Sequence, residues 1–326
     1  MMPAGGRPAA PARDLGPEAR EPVQRDQRPR EGGRTARERG RRALVAIALL
    51  AMALLLGLAA GCGDDAPTPQ PLTLESGGVP RTAIVVPGKG GEGDPPPLVV
   101  AFHGAGSTAA ELLTSVTTFP ESSGATVVVP DALPCGSAAG GGRCWPAEAD
   151  AKGIGAEEAF VQKLVEAVAA RWPVNRERVY ALGLSNGGAW TLRLLLDRPD
   201  LIRGGLVVAG YDPTRTYART PDGALALPLT PVTPSAIAKP AAFRPLVLEH
   251  GTADLLVPYP LTLELVRTLT AEGWPGQTTL LEPTVGVGHL DPILVRPDTL
   301  LRTLQFIDRR ATAPPPTQTA PSGGSG

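Results

Sequence analysis

Tyr180-Ala-Leu-Gly-Leu-Ser-Asn-Gly-Gly-Ala-Trp190 joins a short apolar run to a Gly-x-Ser-x-Gly turn and the start of a helical pattern. Val179 to Leu184 is rich in residues that favour β-structure. After the serine, apolar residues recur at helical spacing, at Trp190, Leu194 and Leu195. A serine between a strand and a helix lies at a strained turn, where flanking glycines remove side chains that would collide. Gly183 and Gly187 meet this demand, so the segment predicts that Ser185 is an exposed nucleophile.

Short apolar runs alternate with helical patterns through the middle of the chain. We predict strands at Arg81–Pro87, Leu98–Phe102, Thr126–Pro130, Val179–Leu184, Gly204–Ala209, Leu246–Glu249 and Thr278–Glu282. We predict helices at Thr108–Thr117, Ala156–Arg171, Asn186–Leu196, Leu261–Ala271 and Asp298–Arg309. Continuous apolar strands separated by helices indicate an α/β fold, with a mostly parallel central sheet and helices on both faces. In such a fold, chemistry gathers at the loops after the strands.

The flanks of this α/β region differ from it in composition. Residues 1–42 hold eleven arginines and six acidic residues without apolar periodicity, and residues 43–61 carry no charge. We predict four parts from these changes. They are a disordered basic leader with a signal segment (1–61), a Pro/Gly/Ser/Thr-rich linker (62–80), the α/β domain (81–310) and a disordered tail (311–326).

The end of the uncharged segment, Leu58-Ala-Ala-Gly-Cys62, resembles the bacterial lipoprotein signal, in which a cysteine after small residues is lipidated. We therefore expect a membrane anchor at Cys62 and a location in the periplasm, on the cell surface or in the medium. A plain transmembrane anchor with a chance cysteine is the alternative. Arg41-Arg42 loosely resembles a twin-arginine export signal, so the export route stays open.

Two further cysteines support export. Cys135 and Cys144 remain once Cys62 is used for lipidation, and we expect them to form a disulfide across a short glycine-rich loop. Two free thiols in a cytosolic protein are the alternative.

Charge and motif content exclude several classes of function. Without residues 1–61 the chain holds 20 basic and 26 acidic side chains, so no basic surface argues for nucleic acid binding. The three histidines lie far apart in sequence, and no cysteine cluster has ligand spacing. There is no phosphate loop or dinucleotide fingerprint either. We expect no metal, no cofactor and a monomer.

Each of the three histidines follows a predicted strand. His103 begins a His-Gly-Ala-Gly stretch, at a position from which a backbone N–H can point toward a reacting oxygen. We predict that the N–H groups of Ala105 and Asn186 form an oxyanion hole. We interpret the imidazole of His103 as a structural support for its turn.

An acid and a histidine follow the serine in chain order. Asp254 lies 69 residues after Ser185, on the loop that follows a late strand, and His289 lies 35 residues later on a glycine-rich loop. This order predicts a triad in which Ser185 is the nucleophile, His289 the general base and Asp254 the acid that orients the histidine. We interpret Asp291 as a surface carboxylate.

Four stretches together resemble the polyhydroxybutyrate depolymerase and feruloyl or acetylxylan esterase group of α/β-hydrolases. These stretches are Gly183–Gly188, His103–Gly106, His250–Asp254 and Gly288–His289. The resemblance extends over roughly residues 80–310. It implies an α/β-hydrolase fold and an extracytoplasmic serine esterase, acting on a small-molecule or polymeric ester through the same three residues.

Two segments depart from that group. Leu290-Asp-Pro292 stands where the group often has a tryptophan and a proline after the histidine, and Tyr211–Arg244 is a Pro/Thr/Ala-rich insertion. Both departures affect which substrate can be expected, and the insertion is a candidate lid or side wall.

A serine peptidase of the prolyl-oligopeptidase type has a similar elbow and a similar His-Gly-x-x-Asp stretch, and is the alternative function. A non-catalytic lipoprotein on a hydrolase scaffold is the third interpretation.

Overall fold

A computed structural model of the protein describes residues 67–90, 93–116, 118–135, 142–148, 151–221, 223–226, 244–274, 279–289 and 291–312. The predicted leader, the signal segment, Cys62 and nearly all of the predicted tail lie outside these residues. Within these ranges, no helix combines the length and the hydropathy needed to span a membrane.

The described strands form one eight-stranded sheet. They are β1 (Gln70–Ser76), β2 (Val79–Val86), β3 (Pro97–Phe102), β4 (Thr126–Pro130), β5 (Asn175–Leu184), β6 (Gly205–Val208), β7 (Leu246–Gly251) and β8 (Thr279–Thr284). Their order across the sheet is β1-β2-β4-β3-β5-β6-β7-β8. The pairs β1/β2 and β2/β4 are antiparallel and the other five neighbouring pairs are parallel. The predicted mostly parallel sheet is therefore confirmed.

Helices cover both faces of the sheet. They are α1 (Ala109–Ser115), α2 (Phe119–Ser123), α3 (Ile154–Ala169), α4 (Asn186–Asp197), α5 (Tyr259–Ala271) and α6 (Pro297–Thr312), with a short 3₁₀ turn at Pro292–Val295. Alternate residues of β3 enter two separate cores because side chains of a strand point to opposite faces. Leu98, Val100 and Phe102 pack with α3, α4 and α5. Val99 and Ala101 pack with α1, α2 and α6.

The predicted linker over residues 62–80 is wrong from Gln70 onward. Residues 70–76 form β1, which pairs with β2 around a turn at Gly77-Gly78, where both glycines have positive φ. Two glycines at such a turn match the twist of a tight antiparallel hairpin. Leu72 is fully buried beneath this hairpin. The polar, glycine-containing composition suggested a tether, but one buried leucine and the pairing with β2 are enough to order an edge strand.

The other predicted strands and helices are present, with ends shifted by at most four residues. Like β1, α2 and the 3₁₀ turn were not predicted from the sequence. The predicted end of the domain at residue 310 falls inside α6, which continues to Thr312.

Candidate active site

Ser185 lies in the turn between β5 and α4 with φ 55° and ψ −118°. A positive φ is uncommon for a residue other than glycine, and it is the strained geometry that the elbow motif predicts. A Cβ atom added at Gly183 would lie 2.0 Å from the carbonyl oxygen of Gly187. One added at Gly187 would lie 2.2 Å from the carbonyl oxygen of Phe102. Glycine is required at both positions because the backbone segments around the serine approach too closely for a side chain.

His289 and Asp254 are hydrogen-bonded to each other. Nδ1 of His289 lies 2.6 Å from Oδ2 of Asp254. They follow β8 and β7, two neighbouring parallel strands whose carboxyl ends meet at one edge of the sheet. Because an ionised carboxylate only accepts hydrogen bonds, Nδ1 carries the proton and Nε2 is left to accept one. His289 and Ser185 line the same cavity.

The carboxylate of Asp254 is fully buried and held by several donors. Oδ1 accepts hydrogen bonds from the N–H groups of Leu256 (2.8 Å) and Val257 (2.9 Å). Burial by itself raises the pKa of Asp254, but hydrogen bonds from His250, His289 and Val257 more than offset it and hold the pKa well below its usual range. Asp254 is therefore an anion at neutral pH and can stabilise an imidazolium beside it.

His103 supports the turn that contains Ala105. Its Nδ1–H donates to the carbonyl oxygen of Gly104 (2.8 Å), and its Nε2 accepts from the N–H of Ala132 (3.1 Å). Burial lowers the pKa of His103, consistent with a neutral ring. A Cβ atom at Gly104 would lie 3.5 Å from the Cβ atom of Ser185, so this turn passes beside the elbow. Ala105 lines the cavity, and its role as an N–H donor stays a prediction.

Asn186, the other predicted N–H donor, is the first residue of α4. Both the oxygen and the nitrogen of its side-chain amide form hydrogen bonds. Its Oδ1 accepts from the N–H of Trp145 (2.8 Å). Its Nδ2 donates to the carbonyl oxygen of Trp145 (3.1 Å) and to the hydroxyl of Tyr211 (3.3 Å). Neither Trp145 nor Tyr211 was predicted as a site residue. No local sequence pattern connects them with Asn186, since the contacts join segments 41 and 25 residues apart.

Cys135 and Cys144 form the expected disulfide, with Cα atoms 5.4 Å apart. The N–H of Cys135 donates to the carbonyl oxygen of Gly142, and the N–H of Cys144 donates to that of Leu133. The disulfide therefore closes a short antiparallel hairpin, and both cysteines line the cavity beside Ser185.

The chain matches a known family over the region that contains the elbow. Residues 82–208 match the family described as Esterase PHB depolymerase. This range holds the His103 turn, the disulfide hairpin and Ser185 in its strained turn, and it ends before Asp254. The protein is a serine esterase with an α/β-hydrolase fold.

Solved structures share this fold. A ferulic acid esterase has 15% identity and a TM-score of 0.54, with 76% of this chain and 99% of that chain covered. A ferulic acid esterase from Anaeromyces mucronatus, solved with ferulic acid, has 17% identity and a TM-score of 0.52, with 76% of this chain and 93% of that chain covered. An S-formylglutathione hydrolase from Agrobacterium tumefaciens has 14% identity and a TM-score of 0.54, with 76% of this chain and 99% of that chain covered. At these identities the likeness shows the fold. A search of the curated proteins found no match to this sequence.

A cavity of ≈ 1100 Å³ opens beside the serine of this esterase. The described part of the insertion forms one of its walls through Tyr211, Arg219 and Leu225. The N–H of Leu225 donates to the carbonyl oxygen of Leu256, which joins this wall to the loop after Asp254. The insertion thus contributes a side wall, while its residues 227–243 lie outside the described part. In the described ranges, no three His, Cys, Asp or Glu side chains form a group that could hold a metal ion.

His250 of the esterase contacts the acid directly. Its Nε2–H faces the carbonyl oxygen of Val257 (2.8 Å) and Oδ2 of Asp254 (3.2 Å), and its Nδ1 accepts from the hydroxyl of Thr262 (2.7 Å). In the sequence, His250 stands out only as part of the stretch that contains Asp254. Only the four-residue spacing between His250 and Asp254, across the end of β7, could have indicated their contact.

Proposed function

We propose that the protein hydrolyses carboxylic esters outside the cytoplasm through Ser185, His289 and Asp254. The observation that carries this proposal is the 2.6 Å hydrogen bond between His289 and Asp254, beside the cavity that His289 shares with Ser185. A nucleophile on a strained turn, together with an imidazole oriented by a buried carboxylate, is the arrangement that acyl transfer requires.

The reaction proceeds in two acyl transfers. Oγ of Ser185 attacks the acyl carbon while Nε2 of His289 removes the hydroxyl proton, and Asp254 stabilises the imidazolium that forms. The N–H groups of Asn186 and Ala105 stabilise the negative oxygen of the tetrahedral intermediate. His289 then gives its proton to the departing alcohol. A water molecule, deprotonated by His289, attacks the acyl carbon of the acyl-enzyme. The bond from that carbon to Oγ of Ser185 then breaks, His289 returns the proton to Oγ, and the acid is released.

The cavity has room for esters larger than acetate. Its volume of ≈ 1100 Å³ lies just above the usual range for small-molecule sites. Apolar side chains line part of it, at Leu133, Leu225, Leu256 and Val257. We place the substrate among esters of hydroxyalkanoate, feruloyl or acetyl type. A panel of hydroxybutyrate oligomers, methyl ferulate and p-nitrophenyl acetate ranks these three, and preferred cleavage of a proline-containing chromogenic peptide would favour a peptidase instead.

We place the enzyme outside the cytoplasm, on a lipid anchor at Cys62. The small residues before Cys62 support this location, and so does the Cys135–Cys144 disulfide, because disulfides persist in oxidising compartments. Cells fed an alkyne fatty acid should yield labelled wild-type protein and unlabelled Cys62→Ala protein. Equal labelling of both proteins, or none of the wild type, would contradict the anchor.

Kinetics of three variants test the chemical assignment. Ser185→Ala should abolish p-nitrophenyl acetate turnover, and Asp254→Asn should lower kcat by about 10³–10⁴-fold because the imidazole loses the anion that orients it. Asp291→Asn is the matched control, since this carboxylate lies two residues after His289 and caps the 3₁₀ turn, a role that asparagine can fill. The control should keep wild-type kcat. Undiminished turnover in Ser185→Ala would overturn the proposal.

A further inference from the structure

The disulfide hairpin contacts both segments that are predicted to donate N–H groups to the oxyanion. On one side, the backbone of Trp145, the residue after Cys144, is bonded twice to the side chain of Asn186. On the other side, the indole Nε1–H of Trp145 donates to the carbonyl oxygen of His103 at 3.0 Å. The N–H of Gly106 also donates to the carbonyl oxygen of Arg143 at 2.8 Å. One short segment thus joins the turn after β3 to the start of α4.

The bonds to Asn186 restrain the residue whose N–H is the predicted donor. An amide side chain that bonds both the N–H and the C=O of one residue is held at two points, so neither its position nor its rotation is free. The side chain of Asn186 is buried, and its remaining N–H reaches the hydroxyl of Tyr211. If Trp145 moves away, these buried polar groups lose their partners, at a cost of about 1–3 kcal/mol each.

Trp145 itself has a fixed position. Its side chain is almost completely buried, packs edge-on against Phe102 with ring centroids 5.0 Å apart, and stacks on Trp190 at 6.3 Å. The Cys135–Cys144 bond closes the hairpin immediately before it. The backbone that leads into Trp145 is therefore tied covalently to the end of the loop that follows β4.

We propose that Trp145, held by the Cys135–Cys144 disulfide, is the positioning residue that aligns the two halves of the oxyanion hole. This inference rests on the proposed function. Donors in such a hole act only when they already point to the place where negative charge develops, and small displacements lower the rate of the chemical step. The hairpin therefore acts on the transition state through Asn186 and His103, without touching the acyl group itself.

Three variants test the contacts of Trp145 and of the disulfide hairpin one at a time. Asn186→Ala keeps the backbone N–H of residue 186 but removes both side-chain bonds to Trp145. Trp145→Phe keeps those bonds and an aromatic ring but removes the donor to the carbonyl oxygen of His103. The double variant Cys135→Ser/Cys144→Ser opens the hairpin. We expect Asn186→Ala and the double variant to lower kcat for p-nitrophenyl acetate about 10–100-fold, with Trp145→Phe between them and the wild type.

Two readouts distinguish positioning from a general loss of stability. KM should change less than about threefold, and the inhibition constant of phenylboronic acid, which forms a tetrahedral adduct with the serine, should rise in parallel with the fall in kcat. When Asn186→Ala is combined with Cys135→Ser/Cys144→Ser, the fall in kcat should be smaller than the product of the two separate falls, because both changes act on one contact. Asp308→Asn is the control. It weakens the contacts of Asp308 with Arg178 and Tyr180, which precede Ser185 by seven and five residues along β5, and should lower stability with kcat unchanged.

The result that overturns the inference is wild-type kcat and boronate affinity in Asn186→Ala. Fully multiplicative effects of the two changes on kcat would also overturn it. If the Cys135→Ser/Cys144→Ser protein does not fold, Asn186→Ala and Trp145→Phe decide the question. The proposed function fails separately, through retained turnover in Ser185→Ala.

Discussion

His250 Nε2 lies 3.2 Å from Asp254 Oδ2, the same carboxylate oxygen that accepts the hydrogen bond of His289. His250 belongs to β7, and its other ring nitrogen is bonded to Thr262 of α5. The position of the acid is therefore set by a strand and a helix of the fold, as well as by the base with which it is proposed to work.

Replacing His250 should impair catalysis without removing any proposed reacting group. His250→Phe fills a similar volume but takes one donor from Asp254, so the carboxylate is less firmly held and orients His289 less well. We expect kcat to fall about tenfold with KM nearly unchanged. Steady-state kinetics on p-nitrophenyl acetate measure this.

The control for this change is Thr262→Ser, which keeps the hydroxyl that bonds the ring of His250. It should retain wild-type kcat. A folded His250→Phe protein with full activity would show that the contact between His250 and Asp254 does not matter for the reaction.

The close approach around the serine makes Gly187 intolerant of any side chain. In Gly187→Ala, the new methyl group would lie 2.2 Å from the carbonyl oxygen of Phe102 and 2.6 Å from that of His103. Because backbone atoms of β3 and of its following turn must then move, we expect the free energy of unfolding to fall by more than about 3 kcal/mol. Urea denaturation followed by circular dichroism measures the change.

Gly155 provides the contrasting position. It lies in α3 with no atom within 4 Å of an added Cβ. Gly155→Ala should stabilise the protein by about 0.5–1 kcal/mol because alanine loses less conformational freedom in a helix. A neutral Gly187→Ala substitution would refute the crowding described at the elbow.

Glu249 makes stability depend on pH. It is buried at the end of β7, accepts a hydrogen bond from Thr284 at 2.9 Å, and lies beside Glu282 of β8, with Arg302 nearby. Burial, reinforced by the charge of Glu282, raises the pKa of Glu249 to about 7. Between its ordinary pKa of about 4.5 and pH 7, the folded protein keeps a proton that the unfolded chain has lost. Stability should therefore fall as pH rises through this range.

Glu249→Gln removes this dependence. The variant should be more stable than the wild type by about 1–2 kcal/mol at pH 8, and the difference should shrink toward zero at pH 4, where the carboxyl is protonated in both states. Urea unfolding at the two pH values tests this. A difference between the two proteins that stays constant with pH would contradict the shifted pKa of Glu249.

The fold could be predicted, and the main site residues could be proposed, because their signals are local or ordered along the chain. The alternation of apolar runs and helical patterns gave the parallel sheet, and the glycines around Ser185 gave the elbow. Asp254 and His289 could be proposed because they follow late strands in the order that the fold uses, and the structure brings them into hydrogen-bonding contact.

What could not be predicted depends on contacts between distant segments. β1 looked like a tether because its order comes from pairing with β2 and from a single buried Leu72. Trp145 and Tyr211 meet Asn186 only in the folded protein, so neither their spacing nor their residue type indicated a role. For the disulfide, the number of cysteines was informative, but the hairpin that it closes beside the elbow was not visible in the sequence.

Labelling with a fluorophosphonate, followed by peptide mapping, tests the central claim most directly. The reagent phosphonylates a serine only when a neighbouring base activates its hydroxyl. We predict a single adduct on the peptide containing Ser185, strong labelling in the wild type, and loss of labelling in Ser185→Ala and His289→Ala. An adduct on another serine, or a folded wild-type protein that takes up no label, would contradict the account.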